Sequence, residues 1–152
     1  MNKKLLSAGL AVALGAGFAL TAHAQVKPET MVKQRQAVMT LQSKYFGPLV
    51  GMVKGAIPYN AEVVARNAAY LSVLDKMAWD GFAEGTKGEK SAALPAIWTD
   101  AAKFKQAQDQ LQTAVAALVA VSKGGDEAKV KAAIGDIGKA CGGCHDNFRQ
   151  KN

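Results

Sequence analysis

Two cysteines and a histidine stand close together near the carboxyl end of the chain, as Cys141, Cys144 and His145. Their spacing, C-x-x-C-H, is that of c-type haem attachment, in which two thiols form thioethers with the porphyrin vinyl groups and the histidine binds the iron. Residues three and four apart share one face of a helix, so all three side chains can reach one flat cofactor. The pattern predicts one covalently bound haem c per chain.

Two other chemistries use similar residues. A C-x-x-C pair also forms redox-active disulfides in thioredoxin-like proteins, but there it accompanies a βαβ pattern, which this sequence lacks. A structural zinc site needs four ligands, and the sequence has no second pair of cysteines or histidines to complete the set. Haem attachment is therefore the preferred interpretation.

Residues 1–24 have the pattern of a secretory signal peptide. Two lysines precede a long apolar stretch, and Ala22-His23-Ala24 has the small residues of a cleavage site. We expect cleavage after Ala24, export to the periplasm, and a single haem domain over residues 25–152. No later segment approaches the roughly 20 apolar residues that cross a bilayer, so no membrane span is expected.

The charge of the chain is moderately basic. Nineteen lysines and arginines against 12 acidic residues give a formal net charge of +7 at pH 7. The basic residues are scattered through the helical segments, which is typical of solvated helix faces and not of a nucleic-acid-binding patch. We therefore expect no nucleic-acid partner.

Helical periodicity appears four times along the chain. The first segment opens at Lys27-Pro28-Glu29 and is predicted to end at Gly47-Pro48. The second begins at Asn60, a good N-cap, and the third follows Pro95. The fourth starts near Asp126, and the haem cysteines continue its apolar stripe. The predicted core positions of the second and fourth segments are Val64, Ala68, Leu71, Leu74, Ala78, Val130, Ile134, Ile137 and Phe148.

Four amphipathic helices in one domain of this length predict an all-α fold, an antiparallel four-helix bundle with covalently bound haem c in its core. The connection over residues 122–126 is short, which makes the helices on either side of it antiparallel neighbours. The connections over residues 47–60 and 79–96 are longer and contain glycine and proline.

The sixth ligand of the iron is left open by the sequence. His145 is the only histidine once His23 leaves with the signal peptide, so the remaining axial position falls to a methionine, a small exogenous ligand or nothing. Met39 lies one helical turn after Arg35, which would bring the arginine near a haem propionate if Met39 lay over the iron. Met39 either fills core space there or binds the iron through sulfur. Arg149, one turn beyond His145, is either near the haem or a surface residue at a helix end.

Several motifs occur together in this chain: C-x-x-C-H in the last helix, Lys27-Pro28-Glu29, Arg35-Gln36 before Met39, Phe46-Gly47, Trp79 with Phe82, and Ile97-Trp98. In these motifs the chain resembles the class II c-type cytochromes, and among them the cytochrome c′ family. The resemblance spans nearly all of residues 25–152. It implies a periplasmic, usually dimeric bundle whose high-spin haem keeps one axial site open in an apolar pocket. Such proteins bind nitric oxide and carbon monoxide and reject oxygen, and electron transfer is also ascribed to them.

The resemblance also implies roles for single residues. Arg35 and Gln36 would contact the haem propionates through charge-assisted hydrogen bonds. Met39 would occupy the distal position, where leucine is common in the family. Trp79 and Phe82 would pack against the bundle or the porphyrin.

Two functions of different class remain. In the first, the protein binds gases in a distal cavity without a polar hydrogen-bond donor, so that oxygen is stabilised poorly while nitric oxide needs little such help. In the second, the Met39 sulfur is the sixth ligand and the protein is a low-spin electron carrier for an unidentified periplasmic redox partner. An enzyme is not expected, because the only histidine is the proximal one and the first helix offers no acid–base pair.

A homodimer is expected from the apolar residues that lie outside the core stripe of the first two helices. These are Met31, Val53, Val63 and Val73. A helix that is apolar on two faces needs a second partner.

Overall fold

The computed structural model describes residues 26–151; the predicted signal peptide and its cleavage site after Ala24 lie outside these residues. The predicted all-α fold is confirmed. Four long helices form the bundle, and one single-turn helix precedes the third of them. The helices are α1 (Pro28–Val53), α2 (Ala61–Met77), α3 (Ala96–Thr99), α4 (Ala101–Val121) and α5 (Glu127–Phe148).

The four long helices contact one another in a closed ring. α1 packs on α2 and α5, and α4 packs on α2 and α5, so α2 and α5 lie diagonally across the bundle. The interior is therefore lined by all four helices, as in other helical bundles that enclose a cofactor. Within residues 26–151, no helix has the length and apolar character needed to cross a membrane.

Two of the predicted helix starts are fixed by side-chain caps. The Asn60 side chain accepts a hydrogen bond from the Val63 amide at 3.0 Å, and the Asp126 side chain accepts one from the Lys129 amide at 3.1 Å. Each cap satisfies a backbone donor that has no partner inside the helix. This local chemistry explains why the starts of α2 and α5 are predictable from sequence.

The predicted end of the first helix is wrong. α1 continues through Gly47-Pro48 to Val53, although Pro48 has no amide hydrogen to donate to the preceding turn. Leu49 and Met52 beyond the proline are buried in the main core, and this burial outweighs the lost hydrogen bond. Two residues after the last helical residue, Gly55 has a φ of 70°, the left-handed conformation that glycine adopts easily and that turns the chain away from the helix.

The third predicted segment is divided in two. Asp100, with φ of −126° and ψ of 53°, is not helical and separates α3 from α4. Its side chain forms an ion pair with Lys103 at 2.9 Å in the first turn of α4. α3 therefore turns away from the axis of α4, which brings Ile97 into contact with Phe104 and Phe148.

The core is one large cluster accompanied by two small ones. The predicted apolar stripes of α2 and α5 are buried, which confirms them. The small clusters are Val38 with Leu74 and Ala78, and Ile97 with Phe104 and Phe148. The large cluster is made of Leu49, Met52, Val64, Ala68, Leu71, Leu111, Val115, Leu118, Val130, Ala133, Ile134 and Ile137.

Candidate functional site

A cavity of about 480 Å³ opens inside the bundle, with members of the large cluster and of the Ile97–Phe104–Phe148 cluster in its walls. Met39 and Trp79, which pack against the third cluster, line it as well. Its volume is in the range of small-molecule and cofactor sites. Most of its lining is apolar, as a porphyrin requires. The structure brings all nine residues singled out from the sequence to this one cavity: Arg35, Gln36, Met39, Trp79, Phe82, Cys141, Cys144, His145 and Arg149.

The α5 wall carries the C-x-x-C-H motif. The helix runs without interruption through Gly142-Gly143, so Cys141, Cys144 and His145 share a face, and each lines the cavity. Both cysteines are free and half-buried, and burial raises the pKa of both thiols. Burial also lowers the pKa of His145, with Arg149 acting in the same direction and Asp146 against it. Imidazole is consequently favoured in its neutral form, which is the form that binds metals.

The opposite wall is formed by α1 and α2. Met39 of α1 is half-buried and packs against the small cluster of Val38, Leu74 and Ala78. Its neighbours are therefore aliphatic side chains of both helices. Such packing is ordinary for a methionine, whose flexible side chain fills irregular space.

Arg35 is a buried cation that has no carboxylate partner among the described residues. Only 3% of the residue is exposed, and burial lowers its pKa. Its guanidinium donates hydrogen bonds to the Gly81 carbonyl oxygen, to Thr86 Oγ1 at 3.2 Å and to Ser91 Oγ at 2.8 Å. The Arg35 Cζ also lies 4.4 Å from the centroid of the Phe82 ring. Neutral acceptors orient the guanidinium and leave its charge available to an anionic group in the cavity.

Aromatic rings line one side of the cavity. Trp79 and Phe82 are stacked with centroids 6.3 Å apart, and Phe104 meets Phe82 edge-on at 5.0 Å. Phe148 continues the row at 5.2 Å from Phe104. The Trp79 indole N–H donates to the backbone carbonyl of Asp75, which fixes the ring on α2. These rings present an apolar surface to the cavity interior.

Gln36 and Arg149 lie at the exposed rim of the cavity. Arg149 follows the last residue of α5, where a short backbone bridge joins it to Ala93. The Leu94 amide donates to the Phe148 carbonyl at 3.0 Å, and the Gln150 amide donates to the Ala92 carbonyl at 2.8 Å. The bridge holds the segment before α3 against the end of α5 and closes this side of the cavity.

Asp75 is the site residue that sequence reasoning missed. It lines the cavity, only 3% of it is exposed, and its Oδ1 has no hydrogen-bond partner among residues 26–151. Burial raises the pKa of Asp75 to about 6, against a smaller opposing effect of Lys76. Asp75 thus adds an ionisable carboxyl group to a cavity whose distal side was expected to carry no polar hydrogen-bond donor. The signal was its position, four residues after Leu71 and four before Trp79 on the inner face of α2.

The fold and the cavity together define a class of protein, the helical-bundle c-type haem proteins. Two free cysteines and a histidine lie on one face of the last helix and border an apolar cavity. A buried guanidinium in the same cavity can pair with an anionic group. A haem has two vinyl groups, a flat apolar ring and two propionates, so the residues present fit this group.

Comparisons with known proteins agree with this class. The family model described as Cytochrome C′ matches residues 30–149. The chain is 44% identical over 126 residues to the cytochrome c′ of Rubrivivax gelatinosus, covering 82% of this chain and 98% of that protein. A nitric oxide complex and a carbon monoxide complex, each of a cytochrome c prime variant from Alcaligenes xylosoxidans, are both 42% identical with a TM-score of 0.77, covering 83% of this chain and 98% of those chains. The chain therefore belongs to the cytochrome c′ family.

Proteins of this family carry one covalently bound haem c per chain, so the cofactor prediction is confirmed. One of the similar structures is a nitric oxide complex and another is a carbon monoxide complex, which supports the assignment of this chain as a gas-binding haem protein.

Proposed function

We propose that this protein is a periplasmic haem protein that binds nitric oxide and carbon monoxide at a high-spin haem whose iron has His145 as its only protein ligand. The observation that carries the proposal is the apolar packing of Met39, the one methionine that lines the cavity among the described residues. The haem supplies an iron able to bind small gases. The chain supplies its anchoring, its orientation and the shape of the space around it.

Three groups of residues would hold the haem. The Cys141 and Cys144 thiols would hold the haem through thioether bonds to its two vinyl groups. His145 would bind the iron from the same helix face. Arg35 would meet a propionate from within the cavity, and Gln36 and Arg149 would contact the edge of the haem from the rim.

Met39 would act as a steric gate and not as a ligand. Its side chain packs against the cluster that Val38 of α1 forms with Leu74 of α2 and with Ala78 just beyond α2. Moving the sulfur toward an iron would cost these contacts, each of which contributes to burial of apolar area. A gas molecule entering this side has to displace the Met39 side chain instead.

A binding role is favoured over a catalytic one. The single histidine of the cavity belongs to the cysteine wall, so no histidine on the Met39 side can transfer protons to a reacting ligand. We therefore propose no enzymatic activity. Electron transfer to an unidentified periplasmic partner would be a secondary role of the same haem.

A homodimer through α1 and α2 is part of the proposal. Of the four residues singled out for it, Met31 and Val63 are half-buried, whereas Val53 and Val73 are exposed. Tyr70 and Met77 lie on the same face of α2 as Val73 and are exposed as well. Exposed apolar side chains in a row on one helix are typical of an interaction surface.

The optical spectrum of the ferric protein tests the iron ligation. We expect a high-spin spectrum in the wild-type protein and in Met39→Ala. Removing the side chain should also accelerate carbon monoxide binding to the ferrous protein by about tenfold or more, which corresponds to a barrier lowered by about 1.4 kcal/mol. Met77→Ala, the same change at an exposed position of α2, is the control and should bind carbon monoxide at the wild-type rate.

A low-spin ferric spectrum of the wild-type protein would contradict the proposed ligation. If the wild-type ferric protein is low-spin and Met39→Ala turns it high-spin, the Met39 sulfur is the sixth ligand. The electron-carrier function then replaces the gas-binding one.

A further inference from the structure

Asp75 is a buried acid that the packing of the protein does not satisfy. Its Oδ1 is enclosed and has no hydrogen-bond partner among the described residues, and the residue lines the cavity. Buried polar side chains are nearly always hydrogen-bonded, because an unpaired one costs free energy. An enclosed carboxyl oxygen without a partner beside a cavity therefore indicates that its partner occupies the cavity.

The position of Asp75 puts it on the Met39 side. Leu74 of α2 and Ala78 just beyond α2, which stand on either side of Asp75 in the sequence, belong to the cluster against which Met39 packs. α2 lies diagonally across the bundle from α5, which carries His145. A small ligand bound on the side of the cavity away from His145 would therefore lie next to α1 and α2.

No charge in the cavity neutralises Asp75. Arg35 makes no hydrogen bond or ion pair with the Asp75 carboxyl among the described residues, and Lys76 beside Asp75 is exposed. Burial is thus the dominant influence and raises the pKa of Asp75 to about 6. The other charged or titratable groups that face the cavity are Cys141, Cys144, His145 and Arg149.

A carboxyl group behaves differently in its two protonation states. When neutral, it has an O–H to donate, and when ionised, it can only accept and repels electron-rich ligands. Filling the cavity with an apolar cofactor removes water from around Asp75, which favours the neutral form further.

We infer that Asp75 is a ligand-selecting residue of the cavity, whose carboxyl group donates a hydrogen bond to a small ligand held on the Met39 side. The inference rests on the proposed function, because it requires ligands to bind on that side. It extends that function, since a donor on this wall makes ligand preference depend on pH and favours ligands that carry partial negative charge.

The C–O stretching band of the ferrous carbon monoxide complex, measured by infrared spectroscopy at about pH 5 and about pH 8, tests the inference. A donor near the ligand oxygen draws electron density from the iron into the C–O bond and lowers the band. We expect a lower band at the acid pH in the wild-type protein. Asp75→Asn keeps a donor that does not titrate, so its band should stay low at both pH values. Asp75→Leu removes the donor, so its band should stay high.

Asp80→Asn is the matched control, because Asp80 is exposed near the same helix end and loses the same charge. It should keep the pH dependence of the wild type. A band that is identical in wild type, Asp75→Leu and Asp75→Asn at both pH values overturns the inference and leaves the proposed function intact. A wild-type protein that binds no carbon monoxide overturns the proposed function, and the inference with it.

The pH dependence of unfolding is a second measurement that needs no ligand. Burial raises the pKa of Asp75 to about 6 in the folded protein, whereas the value of the exposed carboxyl in the unfolded chain is 3.8. Because the folded form binds the proton more tightly, Asp75 stabilises the protein below pH 3.8 and loses this effect as the pH rises through 6. The free energy of unfolding of the wild type should therefore fall relative to Asp75→Asn over this range. Parallel curves for the two proteins would show that Asp75 is not the titrating group.

Discussion

Arg35 shows how hydrogen bonds can offset the free-energy cost of burying a charged side chain. Three oxygen acceptors and the face of Phe82 surround its guanidinium, and no carboxylate among the described residues pairs with it. Hydrogen bonds from a charged donor are worth more than neutral ones, which offsets part of the desolvation. The arrangement orients the cation before any anion arrives.

Replacing Arg35 tests this orienting role. In Arg35→Gln the shorter neutral side chain cannot reach all three acceptors, and their buried oxygens lose partners. We expect a loss of about 1–3 kcal/mol in the free energy of unfolding, measured by urea denaturation of the haem-bound protein. Lys33→Gln, at an exposed position of α1, is the control and should change the stability by less than about 0.5 kcal/mol. Equal stability of the two variants would contradict a structural role for the buried guanidinium.

At the scale of the elements, the turn after α2 determines how closely α1 approaches it. Gly81 is buried against α1, and a Cβ at this position would lie 2.5 Å from the Arg35 Cβ and 2.9 Å from the Met31 carbonyl oxygen. Only a residue without a side chain allows this approach. The same close approach lets the Gly81 carbonyl oxygen accept a hydrogen bond from the Arg35 guanidinium. The position of the turn and the orientation of Arg35 in the cavity therefore both depend on Gly81.

Gly81→Ala should therefore destabilise the protein. The clash is with backbone and with the rigid end of a side chain, so the helix and the turn have to separate. We expect a loss of about 1–3 kcal/mol in the free energy of unfolding, measured by thermal or urea denaturation. Gly85→Ala, in the same connection with no atom within 4 Å of the added Cβ, is the control. If both substitutions have the same small effect, the approach of the turn to α1 is looser than described.

For the whole molecule, the exposed apolar face of α2 bears on assembly. Val73 is 60% exposed and Met77 is 55% exposed, whereas the other face of α2 is buried in the bundle. Burying such a row against a second copy removes apolar area from water, which is the main favourable contribution to association.

Val73→Glu should weaken the proposed dimer. A charge at the centre of the interface would have to be desolvated, so we expect the dissociation constant to rise by at least about tenfold, or about 1.4 kcal/mol. Sedimentation velocity over a range of micromolar concentrations measures it. Ala116→Glu adds the same charge to an exposed position of α4 and should leave the dimer unchanged. A wild-type protein that sediments as a monomer throughout this range would contradict the dimer itself.

Part of this protein could be determined from the sequence alone, because the relevant interactions are local. The attachment motif depends on the spacing of three residues on one helix, and the starts of α2 and α5 depend on side chains that cap their own first turn. The apolar stripes of those helices repeat with the helical period, so their buried faces are visible as well.

Only the tertiary structure decided the remainder, because it depends on which helix faces meet. Packing of Leu49 and Met52 carries α1 past Pro48, against the local preference. The burial of Arg35 depends on a turn 46 residues away in the sequence, at Gly81. In the sequence, Asp75 looks like an ordinary acidic residue of a helix. In the structure, residues distant in sequence on α1 and α5 enclose the cavity beside it. This burial raises the pKa of Asp75 and leaves its Oδ1 without a hydrogen-bond partner among the described residues.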